Sequence, residues 1–407
     1  MPLGGPPENQ VMLLPARTAA EAVAWGSAAM EYAAAFETVH VVRDPERVDW
    51  RGYESVTIIR PRFWPDDLVL LIKQANPTIR IDTLPIDSPD ALQIVLHVRV
   101  YYGWRYGPQA AFDWAQLWPP SRCLIGLHGR SDGEFLAADY PIVKAARLEA
   151  VKITSSATME TVHKLRAINP NMFILVRAFV AFWEEDAPRR VTPAEFVEWT
   201  TPDLARLYEA DPTIRYIEIH NEPNITKEGW GGSWENGQEF GEWFLAVQDL
   251  YRARFPEAKF GFPGLSPGPT STLQGRTASA AFLEQAAFAA QQADWVGLHA
   301  YWINEREMND GRLGLAVLPY RDRFPEQLLF ITEFGNPAQP KDVVADQYSR
   351  YYSRLRSVLG LGAAFAYVLS TSDPVESVAW AWRDERGNDL GVAAEVGARR
   401  YMLETGP

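Results

Sequence analysis

From Cys123 onward one unit recurs eight times: a short, mostly apolar strand-like run, a loop, then a segment of helical composition. The runs are Cys123–His128, Ala150–Ser155, Phe173–Phe179, Ile214–Asn221, Lys259–Gly264, Trp295–Tyr301, Leu328–Phe334 and Ala363–Ser370. Near-continuous apolar runs are what strands buried on both faces require. Helical segments are expected at Tyr140–Leu148, Thr158–Ile168, Pro193–Glu209, Glu239–Phe255, Ser279–Ala290, Leu318–Phe324, Val343–Leu359 and Ala393–Glu404. Thr192-Pro193 is a good helix start, with Thr as cap and Pro at the first position. Eight strand–helix units over roughly 290 residues predict a (β/α)8 TIM barrel. The structural alternative is a doubly wound open sheet, which would not normally need eight units of this evenness.

The joint Leu117-Trp118-Pro119-Pro120 sets the barrel apart, so the chain is expected to comprise a small α/β N-terminal domain (1–117) and a barrel domain (118–407). In the first, Thr18-Ala19-Ala20-Glu21 is a capping box ahead of an Ala-rich helix. Val11–Leu14, Val39–Val42, Val56–Ile59 and Ile79–Ile81 read as strands, with helices after Pro65-Asp66-Asp67 and at Ser88-Pro89. That is a compact three-layer unit. No glycine-rich phosphate loop follows any of its strands, so a packing or interaction role is expected there and no nucleotide. Gly360-Leu361-Gly362 precedes a strand instead of following one, which makes it a turn and not a dinucleotide fingerprint.

The net charge of −13 and the lack of clustered Lys and Arg argue against nucleic acid as a partner. One cysteine, Cys123, excludes an intrachain disulfide and a cysteine-based zinc site. No stretch reaches the ~18 apolar residues of a membrane span. The sequence opens without the basic and apolar stretches of an export signal, so a soluble, cytoplasmic protein is expected, with secretion left open.

Barrel enzymes do their chemistry at the C-terminal ends of the strands. The fourth run ends Ile217-Glu218-Ile219-His220-Asn221-Glu222-Pro223-Asn224, the sixth Leu298-His299-Ala300-Tyr301-Trp302, and the seventh Ile331-Thr332-Glu333-Phe334-Gly335. Two carboxyls at one rim are what glycosidic cleavage needs, one protonated to donate to the leaving oxygen and one ionised to attack the anomeric carbon. Burial among apolar strand residues and a neighbouring carboxylate both raise a carboxyl pKa, which is how such a pair separates into acid and nucleophile. No His-x-x-x-His spacing or dense carboxylate cluster appears, so neither metal nor cofactor is expected.

Asn221-Glu222-Pro223 at the fourth strand end, with Thr332-Glu333-Phe334-Gly335 at the seventh and His299-Ala300-Tyr301 at the sixth, resembles clan A of the retaining glycoside hydrolases, which includes families 5 and 39. The resemblance covers about residues 120–407. It implies Glu222 as general acid/base, Glu333 as nucleophile, Asn221 on the sugar 2-hydroxyl, Tyr301 beside Glu333 and His299 in the same pocket. It also implies a basic residue in an early strand, with Arg177 preferred over Lys152. A Trp floor at the end of the eighth strand is the clan's habit. Here that strand is read as ending Leu369-Ser370-Thr371, with Trp380 and Trp382 later, a departure from the pattern.

His128 lies at the first strand end, with Asp132 in the loop after it, and both are candidates to line the site. Flat aromatic faces pack on sugar C–H faces. Trp183, Trp230, Trp234, Trp302, Trp380 and Trp382 fall in expected rim loops; of these Trp230, Trp302 and Trp382 are taken as substrate contacts. The expected function is hydrolysis of an oligo- or polysaccharide by double displacement. The alternatives are a non-catalytic carbohydrate-binding barrel and, further off, a metal-dependent hydrolase or a lysine-dependent aldolase built on Lys152.

Overall fold

A computed structural model describes residues 9–36, 38–65, 67–77, 79–102, 105, 117–120, 122–184, 187–325, 327–356, 358 and 360–402. The opening residues of the sequence and residues 403–404 of the expected last helix lie outside this set. The described residues form two compact units.

In the first, β1 (Gln10–Leu13), β2 (Val39–Val42), β3 (Ser55–Ile59) and β4 (Arg80–Leu84) make a parallel sheet in the order β2-β1-β3-β4. The two central strands are buried along their whole length, whereas β2 and β4 carry exposed residues at the edges. Alternation along β1 sorts the core into two layers. Met12 packs with α1 (Ala19–Ala35) and α3 (Pro89–Tyr102), while Val11 and Leu13 pack with Leu68 and Ile72 of α2 (Leu68–Ala75). The capping box is present, with Thr18 and Glu21 each bonding the other's backbone amide.

The second unit is a closed barrel of eight parallel strands. In chain order these are β5 (Leu124–His128), β6 (Ala150–Thr154), β7 (Phe173–Ala178), β10 (Tyr216–Ile219), β11 (Lys259–Phe262), β12 (Trp295–Tyr301), β13 (Leu328–Gly335) and β14 (Leu361–Ala366). A short antiparallel ribbon, β8 (Trp183–Glu184) with β9 (Ala187–Pro188), follows β7. Helices return each strand, among them Met159–Ile168, capped by Thr158, and Pro193–Ala210, which begins with a capping box at Thr192.

A cluster of Trp118, Leu124, Leu175, Trp295, Leu328, Phe330 and Phe365 fills one level of the barrel, with Trp118 set edge-on to Phe173, Tyr216 and Phe330. Bulky apolar layers of this kind make a barrel interior a packed core. Leu175 and Phe330 of this layer lie earlier in their strands than Arg177 and Glu333, so the polar residues sit at the C-terminal end.

Candidate active site

Side chains at matching register in parallel strands point to the same face. Register therefore decides what meets inside the barrel. Arg177 of β7 is paired with Glu218 of β10, and His128 of β5 with Lys152 of β6. On β12 and β13 the register shifts after Leu298–Ile331, so that His299 stands beside Glu333 instead of Thr332. A bulge re-aims side chains, and this one brings a histidine and a carboxylate to the same rim.

Four charged groups meet in the interior. Glu218 accepts from Lys152 Nζ at 2.7 Å and from Arg177 Nε at 2.8 Å. Arg177 Nη2 reaches Glu333 Oε1 at 2.5 Å, and Lys152 Nζ lies 3.5 Å from the same oxygen. Lys152 also donates to the Thr332 carbonyl at 3.1 Å. Two cations against two carboxylates is a neutral set, the condition under which buried charge persists. Burial alone would raise the Glu333 pKa; His299, Arg177 and Lys152 outweigh it and hold the carboxyl well below its usual range. Burial likewise opposes ionisation of Glu218, and Arg177 and Lys152 bring it down to about 2.

Tyr301 completes the Glu333 shell, donating its phenolic hydrogen to Oε2 at 2.7 Å. Burial and the Glu333 charge hold that phenol far above its ordinary pKa, so it stays a donor.

Glu222 occupies a different setting. It lies just past β10, where His220 (φ 73°) and Glu222 (φ 34°) both have positive φ. Non-glycine residues rarely take this region, and such strain clusters at functional sites. The Glu222 amide donates to the Gly264 carbonyl at 3.1 Å, and Glu222 Oε1 lies 2.8 Å from His299 Nδ1. Gly264 is required here, since a Cβ on it would fall 2.2 Å from the His299 ring. His299 thus links the two carboxyl groups, with Nδ1 3.8 Å from Glu333 Oε2. One donor atom each from Glu222, His299 and Glu333 lie within 4.8 Å of one another. That spacing could hold a cation, but a divalent ion would face Arg177 and Lys152 across Glu333.

Among the expected site residues, Glu222, Glu333, His299, Tyr301 and Arg177 converge directly. Arg177 and Lys152 are not alternatives, because both contact Glu218 and Glu333. His128 is buried with Nε2 3.8 Å from Glu333 Oε1, and burial, with the Lys152 charge, lowers it to about 3, so its ring is neutral. Asn221 is half-buried, and its Nδ2 donates to Glu228 Oε1 at 3.1 Å. Asp132 is gripped by Arg130 at 2.7 Å and accepts the Ser372 amide at 2.9 Å, tying two rim loops together.

Two expected sugar contacts are corrected. Trp302 is buried against Phe334 and Tyr351 and donates to Gln347, and Trp382 is fully buried. An indole closed off from solvent has no face to offer a sugar. Trp234 is likewise core, packed on Phe182 and Trp243. Trp230 is half-buried and donates to the Glu235 carbonyl within its own loop.

Three residues escaped the sequence reading. Glu218 lies inside an expected strand, where a charge between Ile217 and Ile219 is itself the signal. Glu228 sits in a loop with no mark on it. Tyr367 follows β14 directly, before a cis bond to Val368. Its ring lies 5.5 Å from His128 and 5.8 Å from Trp380, and Trp380 is 5.3 Å from Tyr301. The eighth strand ends at Ala366 instead of Ser370, which is why the aromatic at its end was missed.

No family model matches the chain, and no curated protein matches it. It is similar to several solved structures at low identity. One is an endo-β-1,3-glucanase of GH128 subgroup I from Amycolatopsis mediterranei in complex with laminaritriose, at 11% identity and TM-score 0.44 over 68% of this chain and 99% of that one. Another is a GH128 subgroup II endo-β-1,3-glucanase from Sorangium cellulosum, at 15% identity and TM-score 0.46 over 66% and 97%. A third is a glucosidase from Croceicoccus marinus, at 14% identity and TM-score 0.48 over 68% of each chain. Among the described residues no helix is long and apolar enough to cross a membrane.

Proposed function

We propose that the protein is a retaining glycoside hydrolase acting on an oligo- or polysaccharide. The observation that carries this reading is a pair of carboxyl groups with oxygens within 4.8 Å, in opposite environments. Glu333 is bound by Arg177 and Tyr301 and ionised; Glu222 has a histidine as its neighbour and no Lys or Arg ion pair among the described residues. A close pair suits attack by one carboxylate, whereas an inverting pair stands about 6.5–9.5 Å apart to admit a water.

In the first step Glu333 attacks the anomeric carbon as the glycosidic C–O bond breaks, and the leaving oxygen takes the Glu222 proton. In the second, Glu222 takes a proton from water, whose oxygen attacks the same carbon and releases Glu333. Arg177 and Tyr301 keep the nucleophile ionised and aimed. Asn221, adjacent to Glu222, is assigned the sugar 2-hydroxyl, and Tyr367 and Trp380 the flanking aromatic surface.

The test is reducing-sugar release from a broad panel of polysaccharides and aryl glycosides by wild type and Glu333→Gln, followed by NMR of the first-formed anomer. Release by wild type alone, with retained configuration, is expected. Equal release by both proteins refutes Glu333 as nucleophile, an inverted product refutes double displacement, and binding without turnover points to a sugar-binding barrel.

A further inference from the structure

Double displacement uses two carboxyl groups. Glu228 is a third at the same barrel end, and neither step needs it. It closes the 3-10 turn Thr226–Glu228, and its backbone is pinned on both sides. Its amide donates to the Ile225 carbonyl at 3.1 Å, and its carbonyl accepts from His220 Nε2 at 2.7 Å. The side chain then meets Asn221, whose Nδ2 donates to Glu228 Oε1 at 3.1 Å.

The two atoms left over, Asn221 Oδ1 and Glu228 Oε2, are both shut off from solvent and both lack a hydrogen-bond partner. As amide carbonyl and carboxylate oxygen they are both acceptors, and orphaned buried acceptors are costly. A carboxamide and a neutral carboxylic acid, by contrast, are complementary across two parallel hydrogen bonds. One is N–H to carbonyl, which is observed; the other is O–H to carbonyl, and the two orphaned oxygens are the atoms it joins. A single proton on Oε2 satisfies both. No Lys or Arg pairs with Glu228 among the described residues.

We infer that Glu228 is a positioning residue: as a carboxylic acid it grips the Asn221 carboxamide through two parallel hydrogen bonds and fixes the residue next to Glu222. The surrounding charges agree. Burial, with Glu222 and Glu333 adding to it against Asn221 and the Arg177 charge, pushes the Glu228 carboxyl up to about 8. His220, beside it, is lowered to about 3 by burial and brings no charge. The paired amide keeps one Nδ2 hydrogen for a bound sugar. Above about pH 8 the proton leaves, two acceptors face each other, and the carboxamide loses its hold.

The pairing is argued from the observed Nδ2–Oε1 bond and the two orphaned oxygens; its effect on turnover rests on the hydrolase reading. Infrared difference spectra of the whole protein carrying ¹³C-labelled glutamate test the pairing. A protonated-carboxyl band at neutral pH is expected, absent in Glu228→Gln and shifted in Asn221→Ala. A spectrum without a Glu228-dependent band overturns the inference. Glutamine can form the same two parallel bonds without titrating. Glu228→Ala should therefore lose about tenfold in turnover, Glu228→Gln should restore most of it, and both should lack the part of the wild-type alkaline decline centred near pH 8 that Glu228 contributes. Identical alkaline limbs in wild type and Gln overturn the positioning role. Should no glycoside be turned over, the infrared result still decides the pairing, and the failure belongs to the hydrolase reading.

Discussion

Tyr301 and Arg177 hold opposite oxygens of one carboxylate, the phenol on Glu333 Oε2 at 2.7 Å and the guanidinium on Oε1 at 2.5 Å. Bound at both ends, the carboxylate cannot rotate away, and both bonds are stronger to the ionised form. Tyr301→Phe removes one charge-assisted hydrogen bond, worth about 1.5–3 kcal/mol. We expect kcat to fall roughly 10- to 100-fold. The lost donor also lets the Glu333 pKa rise, so the acid limb of kcat/KM should move to higher pH. An acid limb unchanged from wild type would remove Tyr301 from the nucleophile's support.

Glu218 makes no claim on substrate but holds both cations. Its folded pKa, about 2, lies below the usual 4.5 because Arg177 and Lys152 outweigh burial. A depressed carboxyl contributes stability that is complete above the unfolded value and is lost as pH falls from about 4.5 to about 2. The shift corresponds to roughly 3 kcal/mol. Glu218→Gln should flatten the acid side of the stability–pH curve. At neutral pH it should cost about 3–5 kcal/mol, because two buried cations are left sharing Glu333. Chemical unfolding across pH measures both effects.

What the sequence made legible follows from what each residue contributes alone. Near-continuous apolar runs located all eight barrel strands, since burial on both faces leaves little choice of composition. Asn221-Glu222-Pro223 and Thr332-Glu333-Phe334 stood out because carboxylates at strand ends have no packing role. The rest depended on partners. Lys152 and Arg177 looked like competitors because the neutral quartet needs Glu218, which register alone supplies. Trp302 and Trp382 were misplaced because an aromatic beside a strand end can turn toward the rim or into the helix layer. Only packing decides that: Phe334, Tyr348 and Tyr351 receive Trp302. Glu228 had no local signal, as its environment is made by the returning turn and Asn221.

The donor atoms of Glu222, His299 and Glu333 lie close enough to bind a cation, and this makes a further test of the chemistry. Acid/base work by Glu222 and attack by Glu333 both need these oxygens unoccupied. Extensive chelation should leave glycoside hydrolysis unchanged, and added divalent ions that bind nitrogen and oxygen donors should inhibit it. Activity lost to chelation and restored by a metal would replace double displacement with metal-assisted hydrolysis.

Trp380 and Trp382 are two residues apart and should fail in different ways. Trp380 is half-buried at the rim, 5.3 Å from Tyr301 and 5.8 Å from Tyr367. Trp382 is fully buried and packs on Tyr348 at 6.2 Å. Removing an indole from the core leaves a cavity, so Trp382→Ala should cost about 3–5 kcal/mol of stability. Any loss of activity would then track the folded fraction. Trp380→Ala should leave the unfolding midpoint nearly untouched and raise KM instead. Aromatic contacts are worth about 0.5–1.5 kcal/mol, so the rise should be roughly 2- to 10-fold. Unfolding midpoints and KM for both variants, on the first polysaccharide found to be cleaved, separate the two roles. A raised KM in a fully folded Trp382→Ala would return that residue to the sugar site.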